Sequence, residues 1–90
     1  MKYIILAKDN EEYLVLFPDS QLMAHSDMTD AVQSVRVGSP QQWERKFRLS
    51  EVVAAGFVRP DLTCYGHSES LGISSRGDKD TMLLQKQLRG

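Results

Sequence analysis

Two short apolar runs open the chain. Tyr3 to Lys8 and Tyr13 to Phe17 are rich in β-branched, leucine and aromatic residues, and Asp9-Asn10-Glu11-Glu12 between them is a cluster of turn formers. The pattern predicts a β-hairpin. It ends at Phe17-Pro18-Asp19-Ser20, because proline has no N–H to give to an interior ladder. Downstream, Met28, Ala31, Val32 and Val35 recur at helical spacing, with Ser26 or Asp27 placed as N-cap. Ser39-Pro40-Gln41-Gln42 then supplies a second helix start, with a cap serine and proline at the first helical position. This predicts a short helix to about Arg48, with Trp43 and Phe47 on one face and Arg45, Lys46 and Arg48 turned outward.

The second half repeats the arrangement without repeating the sequence. Val52 to Arg59 holds too many β-branched and small residues for a helix and reads as a buried third strand, with Gly56 marking a bulge or close packing. Arg59-Pro60-Asp61 is a turn, and Leu62 to Tyr65 alternates as a fourth strand. Ser68 to Ser75 is rich in serine and glycine, and Leu71 and Ile73 reach the core from a short extended piece. Asp78 or Asp80 caps a last helix containing Met82, Leu83, Leu84 and Leu88. The expected fold is therefore α+β: two β-hairpins, each followed by a helix, joined in a four-stranded, mainly antiparallel sheet with the helices packed on one face.

A chain of 90 residues has room for one core, so residues 1–90 are read as a single domain, with about 35–49 an insertion carrying the short helix. Hydrophobic content of 41% and charged content of 26% are ordinary for globular chains and argue against disorder. The lone Cys64 makes no intramolecular disulfide, which favours a reducing, cytoplasmic setting. Met1 to Ala7 begins like a signal peptide, but Lys8 ends the apolar stretch and no small-residue cleavage site follows. No apolar run nears the roughly 20 residues that span a bilayer, so no membrane partner is expected. The net charge is −1, unevenly distributed: residues 1–35 set two lysines against six acids, and residues 36–60 set five bases against two acids. So local a basic segment argues against nucleic acid as the main partner, because nonspecific affinity scales with the phosphates neutralised.

Val53-Ala54-Ala55-Gly56-Phe57-Val58-Arg59, Cys64-Tyr65-Gly66, Ser68-Glu69-Ser70-Leu71-Gly72-Ile73 and Ser75-Arg76 form a distinctive series, with Phe17-Pro18 and His25-Ser26-Asp27-Met28 ahead of it. Together they resemble a family of small uncharacterised bacterial and prophage-encoded proteins of unknown function. The resemblance covers most of the chain and departs from it at about Val35 to Leu49. It implies a bacterial cytoplasmic setting on a mobile element, and it brings no catalytic residue.

Candidate chemistry is sparse. Gly66-His67-Ser68-Glu69-Ser70 approaches the G-x-S-x-G nucleophile elbow but lacks the final glycine, and 90 residues hold no α/β-hydrolase sheet. Cys64 with His25 or His67 has the composition of a thiol–imidazole pair, yet a strand cysteine is ordinarily a small core residue. His25, Asp27, Cys64, Tyr65 and His67 are the candidate ligand-binding residues. They lack the paired spacing of a metal site, so neither metal nor cofactor is expected. Arg76-Gly77-Asp78 spells an adhesion tripeptide but reads as a turn and helix cap.

Trp43, Arg45, Lys46, Phe47 and Arg48 form the candidate partner-binding set, where aromatics interleave with bases. The leading expectation is a noncatalytic interaction module that binds an unidentified protein partner or itself. The alternatives are a nucleic-acid-associated accessory protein using Arg36, Arg45, Lys46, Arg48 and Arg59, and a small enzyme or ligand binder around His25, Cys64 and His67.

Overall fold

A computed structural model of the chain describes residues 1–34 and 50–90. The expected Trp43 helix, with Arg36, Arg45, Lys46, Phe47 and Arg48, lies outside the described residues. In chain order the elements are β1 (Lys2–Lys8), β2 (Glu11–Phe17), α1 (His25–Ser34), β3 (Glu51–Val58), β4 (Cys64–Tyr65), β5 (His67–Ser68), β6 (Ile73–Ser74) and α2 (Asp78–Leu88). β1 to β4 form one antiparallel sheet in the order β2-β1-β3-β4, while β5 and β6 pair as a separate two-stranded ribbon. The α+β fold with two hairpins, each followed by a helix, is what the apolar pattern predicts.

The first hairpin is tighter than its polar linker suggests. Lys8 pairs with Glu11, leaving Asp9 and Asn10 as a two-residue loop with φ of 53° and 65°. Asp and Asn tolerate this left-handed region, and such a loop matches the twist of the flanking strands. Glu11 and Glu12 thus belong to β2.

β1 is the central element. Its Tyr3, Ile4, Ile5 and Leu6 are all fully buried, and successive side chains on a strand point to opposite faces. Both faces of the sheet must therefore be covered. Tyr3 and Ile5 pack with Leu14, Ala54, Val58, Cys64 and Leu84 of α2, whereas Ile4 and Leu6 pack with Phe17, Ala55 and with Met28 and Val32 of α1. The helices lie on opposite faces, which corrects the expectation of one covered face; four consecutive apolar residues on a central strand carry the reason.

A bulge keeps the two layers in register. Ile5 pairs with Ala54 and Leu6 with Val52, so Val53 is the extra residue. Val53 and Ala54 then both face α2, and Val52 stays on the α1 side with Leu6. Gly56 answers to close packing instead: a Cβ there would stand 2.4 Å from the Tyr65 carbonyl oxygen.

The α1 stripe is displaced from the expected one. His25, Met28, Thr29 and Val32 face inward at helical spacing, and Ala31 is exposed. Two polar residues join the buried face because both are satisfied: His25 Nε2 lies 2.8 Å from the Gly56 carbonyl, and Thr29 Oγ1 donates to the His25 carbonyl at 2.9 Å. The helix begins at His25, ahead of the expected cap residues, so Asp27 is not the N-cap but a first-turn residue whose Oδ2 reaches back to accept from the Ala24 N–H at 2.9 Å.

α2 buries Leu84 and part of Leu83, while Met82 and Leu88 are exposed. Polar side chains do much of its docking. Thr81 Oγ1 accepts from the Cys64 N–H on β4, and the Gln87 amide accepts from Leu14 N–H at 2.7 Å and donates to Leu14 C=O at 3.0 Å on β2. Gln87 thereby occupies backbone groups at a sheet edge that would otherwise invite another strand.

Candidate functional site

One cross-strand row joins most of the conspicuous side chains on the α1 face. Lys2 pairs with Phe17 on one side and Phe57 on the other, and Phe57 pairs with Tyr65, so each strand of the sheet contributes one residue. His25, at the start of α1, stands edge-on to both Phe17 and Phe57 with ring centroids 5.5 Å away in each case. Its Nε2 faces a carbonyl, which only accepts, so that nitrogen carries the proton. Beyond Phe57 the Tyr65 ring follows at 5.8 Å, and the Arg59 guanidinium lies 4.0 Å from its centroid. The column runs from the buried His25 to the solvent, where Tyr65 is 40% exposed.

Beside this column lies an open depression of about 600 Å³ lined by Lys2, Ala24, His25, Phe57, His67, Glu69 and Ser70. Several of its polar groups already have partners in the fold. Lys2 Nζ donates to the Ser20 and Met23 carbonyls at 3.0 and 2.9 Å, and Ser70 Oγ accepts from the Ser26 N–H at 3.2 Å. His67 and Glu69 are exposed at its rim.

Of the residues singled out from the sequence, His25 and His67 line the depression and Tyr65 stands next to its Phe57 wall. Cys64 is elsewhere: it is buried on the α2 face with Tyr3 and Leu84, and burial pushes its thiol pKa up. Asp27 is spent on the Ala24 N–H at the start of α1. Ser68 is 1% exposed, and its Oγ accepts from the Leu71 N–H at 3.1 Å, closing the turn between β5 and β6. Among the described residues no group of three or more His, Cys, Asp and Glu is placed to hold a metal ion.

A second polar cluster, not legible as a unit in the sequence, lies under the start of α2. Asp80 is fully buried; its Oδ2 accepts from the Tyr3 hydroxyl at 2.5 Å and the Arg76 N–H at 2.9 Å, and its Oδ1 from Arg76 Nε at 2.6 Å. Arg76 reaches on to Glu12 with two bonds of 2.9 Å. Burial, then the bond to Asp80, raises the Tyr3 hydroxyl pKa far above its ordinary value, and the Arg76 bonds hold the Glu12 carboxyl below the usual carboxylate range. Every member of the cluster is engaged with another, which makes it a structural clamp. Its one sequence signal is the Arg76–Asp80 spacing of four, and that reads equally well as an exposed helix pair.

Comparison with protein-family models, curated proteins and solved structures finds no match to this chain. No helix among the described residues is long and apolar enough to cross a membrane.

Proposed function

We propose that this chain is a noncatalytic interaction module that binds a protein partner, a second copy included, through Tyr65, Arg59 and the depression beside them. The supporting observation is the Phe57–Tyr65–Arg59 column, which holds a tyrosine half in solvent on a rigid sheet under an arginine. Tyrosine and arginine are enriched among the side chains that dominate association energies, and a pre-stacked pair loses little freedom on binding. The distribution of reactive groups supports the same reading. The one thiol is buried on the α2 face, across the sheet from His25 and His67, so the thiol–imidazole pair is not assembled. The setting that accords with this reading is a bacterial cytoplasm, on a mobile element.

Replacing Tyr65 and Arg59 by alanine tests it. The exposed pair is expected to cost about 1 kcal/mol of stability or less, read by urea denaturation, while association falls by at least about tenfold. Association unchanged by the double substitution would overturn the proposal.

A further inference from the structure

The outer edge of β2 is covered by a side chain that imitates a strand. The Gln87 amide accepts from Leu14 N–H at 2.7 Å and donates to Leu14 C=O at 3.0 Å, the bond pair that two opposed residues of antiparallel strands exchange. Beneath it the edge is long and regular. β2 keeps register with β1 over all seven residues and contains no proline, lysine or bulge, whereas the strand at the other edge, β4, is two residues long. The cover itself is slight. Leu84 is the last buried residue of α2 and Lys86 to Gly90 are all exposed, so two bonds from one side chain hold that turn to the sheet. Helix ends of this kind open at little free-energy cost.

Which strand fits the uncovered edge follows from the register. Leu14 is the midpoint of Glu11–Phe17. Laid antiparallel to itself about that midpoint, β2 sets Leu14 opposite Leu14, Tyr13 opposite Val15, Glu12 opposite Leu16 and Glu11 opposite Phe17. The whole strand is used, no two carboxylates are directly opposed, and an aromatic–β-branched pair stands on either side of the centre. The two-fold axis falls at the residue that Gln87 covers, and such an isologous contact closes on two copies. We infer that the last turn of α2 is an autoinhibitory strap, and that lifting it lets β2 pair with β2 of a second copy about Leu14. Tyr65 lies at the other edge of the sheet, so the inference stands apart from the interaction-module reading.

Gln87→Ala in the full chain tests this by sedimentation equilibrium and amide hydrogen exchange. The strap is closed most of the time in the parent, so its removal is expected to strengthen pairing about tenfold. In the variant the Leu14 amide is expected to exchange fast when dilute and to slow as the concentration rises toward about 1 mM, because a second copy then takes the bond. Gln87 is exposed, so circular dichroism and the protection of the β1 amides are expected to match the parent. Adding Arg59→Ala and Tyr65→Ala is expected to leave this pairing unchanged.

A variant that associates no more than the parent at about 1 mM, or that associates while Leu14 exchange stays indifferent to concentration, overturns the inference. Pairing lost on the Arg59 and Tyr65 substitutions also overturns it, placing the second copy on that surface and leaving the module reading in force. Leu14 protection that arises only when a different protein is added removes the second copy as occupant and counts against it equally. Pairing through Leu14 in a chain whose other associations ignore Tyr65 upholds the strap and removes the module.

Discussion

At the scale of single residues, what distinguishes this chain is where its ionisable groups are spent. Glu12 is the clearest case, since an acid near the start of the edge strand β2 would ordinarily be solvated and here takes both arms of Arg76. A carboxylate held below its ordinary value near 4.5 contributes stability that is complete above that value and lost as pH falls through the folded-state value. The stability difference between the parent and Glu12→Gln is therefore expected to be constant above roughly pH 5, to shrink below it and to vanish in stronger acid. Urea midpoints taken every half unit of pH check this. A difference that grows on acidification would contradict the pairing. Asp80 shows why such a residue escapes a reading of the sequence. Near a helix start it reads as a cap, but the N-cap position of α2 falls on Gly77 with no side-chain cap bond, and the placement of Asp80 over Tyr3 makes it a buried hub instead.

At the scale of elements, strands were more legible than the contacts between them. β1 and β2 follow directly from their apolar runs, Pro18 ends β2, and Arg59-Pro60-Asp61 turns β3 toward β4 as its composition implies. α1 differs in phase because His25 and Thr29 face inward, and an apolar count gives no credit to a polar residue that will be satisfied by Gly56 or by its own helix. β5 and β6 are two residues each and have no periodicity to detect. The docking of α2 was equally hidden, since it depends on Gln87 meeting the edge of a strand 73 residues earlier. Gln87→Ala is expected to cost about 1–2 kcal/mol and to speed hydrogen exchange at the Leu14 amide while leaving the β1 amides protected. Unchanged exchange at Leu14 would show that Gln87 does not hold that edge.

At the scale of the whole molecule, one feature of the sequence already contained the layering. Four consecutive apolar residues, Tyr3 to Leu6, require a sheet buried on both faces, and that separates α1 from α2 and His25 from Cys64. The same pleat assembles the candidate site, because Phe17, Lys2, Phe57 and Tyr65 come into line only once the strand register is set. His25, Tyr65 and His67 were recognisable as candidates by residue type. Phe57 and Arg59 gain their roles from a cross-strand neighbour and a stacked ring, neither of which leaves a spacing signature.

The two faces also make the functional proposal separable in one measurement. A photo-crosslinking phenylalanine analogue placed at Tyr65 probes the α1-face column, and the same analogue at Met82, 70% exposed on α2, probes the rest of the surface. An interaction module working through Tyr65 predicts that irradiation of cells making the full chain gives one discrete adduct from position 65, identifiable by mass spectrometry, and none from position 82. Equal adducts from both positions, or an adduct from position 82 alone, would contradict it.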